Sequence, residues 1–243
     1  MAGTGEGMIR EIDDIRVNIY QHGENGPCFY VGESDQEAGS ADILAARLAE
    51  KVEDLPYTLV VYEVTDWNAQ LSPWPARAAL GEKMFAGRGA DTLVWLTDKC
   101  IPRLREEKLI PEGVPQYTAG YSLSGLFALW ALLESDIFDG AVSCSGSLWI
   151  DGWMEYIRDK KLSSDALIYL SLGSREERTK NPLMSTVGDC TRETYDCLKK
   201  NPAVKKITLQ WNKGGHFADA DARLVNGILW LLQAQRRGKT AEK

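Results

Sequence analysis

Strand-like and helix-like segments alternate along most of this chain, and this alternation is the strongest constraint on its fold. The run Tyr57–Val64 (YTLVVYEV) is nearly continuous in apolar residues, which is typical of a strand covered on both faces. Apolar residues recur at helical spacing over 41–52, and 124–134 is a strongly apolar segment that is interpreted as a helix. The pattern therefore predicts an α/β fold with a mostly parallel sheet and helices on both faces.

The remaining segments complete this pattern. We predict strands over 15–20, 28–31, 57–64, 117–121, 140–143, 166–172 and 206–211, and helices over 41–52, 92–108, 124–134 and 221–235. The 243 residues are interpreted as a single domain. Residues 1–8 and 237–243 are expected to be flexible. Residues 65–90, which contain several Pro and Gly, form a long connection and a candidate partial lid.

Composition narrows the classes of partner. The chain has 28 Lys and Arg against 35 Asp and Glu, a net charge of −7, which disfavours nucleic acid or an anionic membrane as a partner. The longest apolar run is far shorter than the ~20 residues of a membrane span, and the first residues do not resemble a secretory leader. We therefore expect a cytoplasmic protein. The oligomeric state is left open.

The few candidate metal or cofactor ligands are scattered. The five cysteines are widely spaced, and there are two histidines, without a CxxC, HxH or HExxH pattern. We predict reduced thiols and no metal site. Neither a phosphate-binding P-loop nor a dinucleotide-binding glycine loop is present in the sequence, so no cofactor is expected.

A nucleophile pattern follows the strand predicted at 117–121. The sequence Gly120-Tyr121-Ser122-Leu123-Ser124 is a variant of the G-x-S-x-G elbow with Ser in place of the second Gly. A sharp turn from strand to helix exposes the central side chain and leaves backbone N–H groups free to stabilise an oxyanion. Ser122 is the candidate nucleophile; the alternative is that its hydroxyl only caps the helix.

A serine nucleophile requires a base and a carboxylate that orients it. His216, in the sequence KGGHF after the last predicted strand, is the candidate base, whereas His22 lies in a turn and is interpreted as a surface residue. Glu176 and Glu177, in the loop after strand 166–172, are both candidate acids. The chain order of Ser, acid and His is the one that α/β-hydrolases use.

Four segments together resemble a known family: GYSLSGLFALWAL, SCSGSLW, SLGSREERTKN and GGHF. They are similar to esterases of the α/β-hydrolase superfamily, in the esterase D and siderophore-esterase-like group, and the resemblance spans about residues 25–235. It implies the α/β-hydrolase fold, Glu176 as the acid, and the backbone N–H groups of Leu123 and Glu33 as the oxyanion hole. Val31 stands where many relatives carry His.

Several aromatic residues lie in loops expected at the carboxyl edge of the sheet. Trp67, Trp74, Trp149 and Trp153 either form a substrate wall or pack as a small core beneath the loops. Trp67, Trp149 and Tyr121 are the candidate substrate-binding residues.

These observations lead to a functional hypothesis. The sequence predicts a serine esterase that cleaves a small-molecule carboxylic ester through an acyl-enzyme intermediate. The alternatives are a catalytically silent binding protein with the same fold, and the same triad acting on an amide or thioester or in acyl transfer. The acyl and alcohol groups of the substrate are not predicted.

Overall fold

The computed structural model describes residues 7–34, 39–52, 54–77 and 84–241, with side chains up to residue 237. The strands are β1 (Met8–Ile12), β2 (Ile15–His22), β3 (Cys28–Ser34), β4 (Tyr57–Val64), β5 (Pro75–Ala76), β6 (Phe85–Ala86), β7 (Gln116–Tyr121), β8 (Gly140–Cys144), β9 (Ala166–Gly173) and β10 (Val204–Asn212). Eight of them form one sheet in the order β1-β2-β4-β3-β7-β8-β9-β10. The pairs from β4 to β10 are parallel and those of β2 with β1 and β4 are antiparallel, which confirms the predicted mostly parallel sheet.

Helices cover both faces of the sheet, as predicted. They are α1 (Ser40–Lys51), α2 (Trp67–Gln70), α3 (Gly89–Trp95), α4 (Ile101–Glu106), α5 (Leu123–Glu134), α6 (Trp153–Asp159), α7 (Val187–Lys199) and α8 (Ala220–Ala241). A π-helical turn, Leu96–Cys100, joins α3 to α4. The helices α1 and α8 pack on one face, and α3 to α7 pack on the other.

The strand β4 shows why this sheet is covered on both sides. Leu59 and Val61 belong to the core beneath α1 and α8, whereas Val60 and Tyr62 belong to the core on the opposite face. Side chains alternate between the faces of a strand, so a continuous apolar run supplies both cores. The carboxyl ends of the parallel strands meet at one edge, where sites form in such sheets.

Six elements were not predicted from the sequence: β1, α2, β5, β6, α6 and α7. The strand β1 is a short edge strand whose residues pair only with β2. The helix α7 buries Val187, Thr191, Thr194 and Leu198 at helical spacing, but two of these four are threonines, which weakens the apolar pattern. The helix α8 continues to Ala241, where a solvated tail was expected.

Other expectations concern segments that are only partly described. Residues 1–6, and residues 78–83 of the candidate lid, lie outside the described residues. Among the helices that the structure describes, none is long and apolar enough to cross a membrane.

Candidate active site

Ser122 lies at the turn between β7 and α5, at the carboxyl edge of the sheet. Its backbone has φ 58° and ψ −123°, a strained conformation for a residue with a side chain. Its N–H donates to the carbonyl of Cys144 at 3.0 Å, and its carbonyl accepts from the N–H of Leu126 at 3.1 Å. Its hydroxyl makes no capping hydrogen bond to α5. Helix capping, the alternative role of this serine, is therefore not observed.

The two small residues of the turn have different roles. A Cβ atom on Gly120 would lie 2.3 Å from the backbone carbonyl of Ser124, so only glycine fits there. Ser124 is buried, and its hydroxyl donates to the carbonyl of Gly32 at 2.9 Å. The second small position thus also ties the end of β3 to the start of α5.

His216 faces Ser122 from the loop that follows β10. Its Nε2 atom lies 3.0 Å from the Oγ of Ser122, and its Nδ1 atom lies 2.8 Å from the Oε2 of Glu176. The geometry fits the tautomer in which Nδ1–H donates to the carboxylate and Nε2 accepts the hydroxyl proton. The His216 side chain is 25% exposed, so the imidazole is reachable from solvent.

Glu176 is held as a buried carboxylate. Its Oε1 atom accepts from the hydroxyl of Ser145 at 2.6 Å and from the N–H of Gly173 at 2.7 Å. Burial alone would raise the pKa of this carboxyl, but the hydrogen bonds from His216, Ser145 and Gly173 outweigh it and lower the pKa below its ordinary value. Glu177 instead pairs with Arg192 on α7, at 2.9 Å. Of the two candidate acids, Glu176 is the one beside His216.

The two expected oxyanion donors are placed differently. Leu123 is the first residue of α5, where backbone N–H groups have no partner within the helix. The carbonyl of Gly32 faces Ser124, so the N–H of Glu33, on the opposite side of the same trans peptide, faces β4. The structure therefore does not direct the N–H of Glu33 toward Ser122. The N–H groups of successive residues in a strand point to opposite sides, so the N–H of Ser34 points away from β4, toward the side of Ser122.

The predicted substrate-binding aromatics separate into two groups. The hydroxyl of Tyr121 donates to the backbone carbonyl of His216 and accepts from Arg223, so it is engaged with the loop that carries the histidine. Trp67 and Trp149 are half-buried against the core.

The other two tryptophans, Trp74 and Trp153, pack in the large core on the face of α3 to α7 and not in a separate small core. Trp153 is fully buried, and its ring stacks with that of Trp74 at 6.5 Å between centroids. The indole N–H of Trp74 donates to the carbonyl of Asp151 at 2.7 Å.

Two residues near the site were missed from the sequence. Ser145 follows β8, and Arg223 lies on α8; both are buried and both contact Glu176. Ser145 lies within the SCSGSLW segment, which could have suggested it. Arg223 carries no such signal, because an arginine on a terminal helix usually belongs to its solvated face.

Other candidate reactive groups are not arranged for catalysis. Within the described ranges there is no group of three or more His, Cys, Asp or Glu that could hold a metal ion. Burial raises the pKa of the Cys144 thiol to about 12, so it is not a nucleophile at neutral pH. His22 stacks on Tyr57, with ring centroids 5.2 Å apart.

Comparisons with known proteins place this architecture. No family model matches the chain. It is 28% identical to the uncharacterized protein YbbA of Bacillus subtilis over 175 residues, which cover 69% of this chain and 70% of the relative. The structure resembles siderophore hydrolase EstA from Aspergillus nidulans, with a TM-score of 0.72 and 16% identity over 94% of this chain and 93% of that one. It also resembles an IroE-like serine hydrolase from Shewanella oneidensis, with a TM-score of 0.77 and 15% identity over 94% and 80% of the two chains.

Proposed function

The chain has the α/β-hydrolase fold, and on this premise we propose that it is a serine hydrolase that cleaves carboxylic esters through an acyl-enzyme intermediate. The observation that carries the proposal is the alignment of Ser122, His216 and Glu176 through contacts of 3.0 and 2.8 Å. The solved structures with the same fold include proteins named as a siderophore hydrolase and a serine hydrolase. Their names support hydrolysis as the reaction class.

In the acylation step Ser122 is the nucleophile and His216 the general base. The Oγ atom attacks the acyl carbon while the Nε2 of His216 takes the hydroxyl proton. The charge that forms on the imidazole is balanced by the carboxylate of Glu176. The proton then passes from His216 to the departing alcohol, and the acyl group stays on Ser122.

The tetrahedral intermediate requires donors for its oxygen. The N–H of Leu123 at the start of α5 is the first donor, and the direction of the β3 backbone favours the N–H of Ser34 as the second.

In deacylation, His216 takes a proton from a water molecule that attacks the acyl carbon. The acid is released, and Ser122 regains its proton.

The experiment compares Ser122→Ala with Ser163→Ala on p-nitrophenyl acetate. Ser163 is an exposed serine in the loop before β9, at the edge of the sheet opposite to Ser122. Its hydroxyl contacts Asp136. We expect Ser122→Ala to lose at least about 10³-fold in kcat while staying folded. The Ser163→Ala protein is expected to match wild type. Equal activity in wild type and Ser122→Ala would refute the proposal.

A fluorophosphonate probe separates a hydrolase from a silent binding protein. We expect the wild-type protein to gain the mass of the phosphonyl group on the peptide that contains Ser122, and the Ser122→Ala protein to stay unlabelled. No labelling of folded wild type would support the binding protein. Matched ester, thioester and amide substrates then define the bond that is cleaved.

A further inference from the structure

A buried arginine lies directly behind the candidate triad. Arg223, on α8, has a side chain that is 2% exposed. Its Nη1 atom lies 3.0 Å from the hydroxyl of Tyr121, 3.1 Å from that of Ser145 and 3.2 Å from the Oε1 of Glu176. One guanidinium nitrogen thus contacts the end of β7, the end of β8 and the loop that carries the acid.

The second terminal nitrogen of this arginine contacts the loop that carries the base. The Nη2 atom of Arg223 donates to the carbonyl of Gly215 at 3.1 Å and to that of Lys213 at 3.3 Å. Tyr121 adds a further contact from its hydroxyl to the carbonyl of His216. A planar guanidinium can hold several acceptors in a fixed arrangement, which an ammonium group cannot do.

The buried positive charge of Arg223 is paired with the carboxylate of Glu176. Removing a cation from water is costly unless it is paired, and here the partner is the carboxylate that His216 contacts. Glu176 therefore faces two groups that can be positive. The permanent charge of Arg223 competes with a proton on His216 for the same carboxylate.

Resting on the proposed function, we propose that Arg223 is a positioning residue of the Ser122–Glu176–His216 site. It holds the loops of the acid and the base at a fixed separation. It also places a permanent positive charge beside the Glu176–His216 pair, which opposes the uptake of a further proton by the pair.

The charges around the pair are few. Burial raises the pKa of Tyr121, and it raises the pKa of Cys144 to about 12, so both are uncharged at neutral pH. Arg175, Lys213 and Asp219 from the same loops are exposed and screened by solvent. Glu177 is half-buried and is paired with Arg192 on α7. Removal of the Arg223 charge should therefore raise the proton affinity of the pair, whichever of the two groups carries the proton.

The test compares Arg223→Met, Arg223→Lys and the control Arg158→Met. Arg158 pairs with Glu193 on the surface, so its loss removes an arginine and an ion pair away from the site. Two readouts are used: the pH profile of kcat/KM on p-nitrophenyl acetate, and NMR titration of the imidazole protons. The chain has only two histidines, so His216→Gln assigns the signals.

For Arg223→Met we expect the imidazole midpoint and the acidic limb of kcat/KM to rise together by about 0.5–1 pH unit. The plateau should fall by about 10–100-fold with little change in KM, because the loops lose their fixed separation. Arg223→Lys should keep the midpoint near that of wild type and still lose about tenfold in kcat. Arg158→Met should match wild type in both readouts.

The proposal is overturned if folded Arg223→Met keeps the midpoint and plateau of wild type, even when its thermal stability falls. If Arg223→Met does not fold, Arg223→Lys with unchanged kcat overturns the positioning role, and a tenfold loss supports it. The NMR titration requires no turnover. The two proposals can therefore fail separately. If wild type neither turns over the ester nor reacts with the fluorophosphonate, the proposed function is refuted. If the imidazole midpoint of Arg223→Met still differs from that of wild type, the role of Arg223 is supported.

Discussion

The Oε2 atom of Glu176 lies 2.8 Å from the Nδ1 of His216, while the side chain of the next residue, Glu177, pairs with Arg192 on α7. Two adjacent carboxylates thus face different partners. We expect Glu176→Gln to lower kcat by about 10²–10⁴-fold, because an amide neither balances the imidazolium nor fixes the required tautomer. Kinetics on p-nitrophenyl acetate measure this effect.

The matched control is Glu177→Gln, which changes the neighbouring residue in the same way. It should stay within about twofold of wild type, since exposed ion pairs contribute little. A larger loss in Glu177→Gln than in Glu176→Gln would reverse the assignment of the acid.

Acid stability should report the same carboxylate. Burial raises the pKa of Glu176, but hydrogen bonds from His216, Ser145 and Gly173 outweigh it, so the folded value lies below the ordinary 4.5. Above about pH 4.5 the carboxyl is ionised in both states and its contribution to stability is complete. As the pH falls, the unfolded chain takes up the proton first, and the contribution is lost as the pH passes the folded value.

We therefore expect the free energy of unfolding of wild type to fall more steeply below pH 4.5 than that of Glu176→Gln. Urea unfolding at a series of pH values measures both slopes. An identical slope in the two proteins would contradict the lowered pKa.

The elbow should not tolerate a methyl group at Gly120. A Cβ atom there would lie 2.3 Å from the backbone carbonyl of Ser124, which cannot move without shifting α5 and Ser122. We expect Gly120→Ala to cost about 1–3 kcal/mol in the free energy of unfolding and to slow fluorophosphonate labelling by at least about tenfold. Thermal unfolding and mass spectrometry measure the two effects.

Gly113→Ala is the control for a general loss of stability. Gly113 has φ 66°, and a Cβ atom there would meet nothing within 4 Å. It precedes the amino end of β7, whereas Ser122 follows the carboxyl end, so alanine strains the backbone without touching Ser122. It should lower stability by about 1 kcal/mol and leave the labelling rate unchanged. Slower labelling in both variants would mean that reactivity follows stability alone.

Phe217 should contribute to substrate binding rather than to folding. Its side chain is 94% exposed, and its ring stands edge-on to that of His216, with centroids 5.1 Å apart. We expect an apolar acyl or alcohol group that reaches Ser122 to contact this ring. We expect Phe217→Ala to raise KM for aromatic esters by about 5–30-fold, from about 1–2 kcal/mol of lost apolar contact, with no change in melting temperature.

The matched substitution is Phe217→Leu, which keeps an apolar side chain and should restore most of the affinity. Acetate esters, which have a small acyl group, serve as the internal comparison. Equal KM values in Phe217→Ala and wild type across the ester series would exclude this contact.

Local patterns predicted seven of the eight strands of the large sheet and the segments that carry the candidate triad. The apolar runs of β4 and α5 indicate buried segments, because apolar side chains are favoured where the chain is removed from water. The same patterns missed α7, whose buried face uses Thr191 and Thr194. They also left Glu176 and Glu177 as alternatives, because adjacent carboxylates in a loop have the same local chemistry.

The role of Tyr121 and the direction of the Glu33 N–H could not be read in this way. Each depends on which strand or loop is adjacent to the residue in the folded protein, and local sequence patterns do not specify these neighbours. Arg223 is the clearest case, because its five acceptors come from four separate segments of the chain. The cytoplasmic location and the single-domain interpretation stay predictions.

The order of apolar and polar residues by itself determined which segments become strands and helices, and it placed a serine, an acid and a histidine after three strands. Only the tertiary structure decided which carboxylate meets His216, which N–H groups face Ser122, and that a cation lies buried behind them. The physical reason is the range of the information in each case. The apolar pattern of a strand or helix is visible in a few consecutive residues. Hydrogen bonds and charges act over a few ångströms in space, between residues as far apart in the sequence as Ser122 and His216.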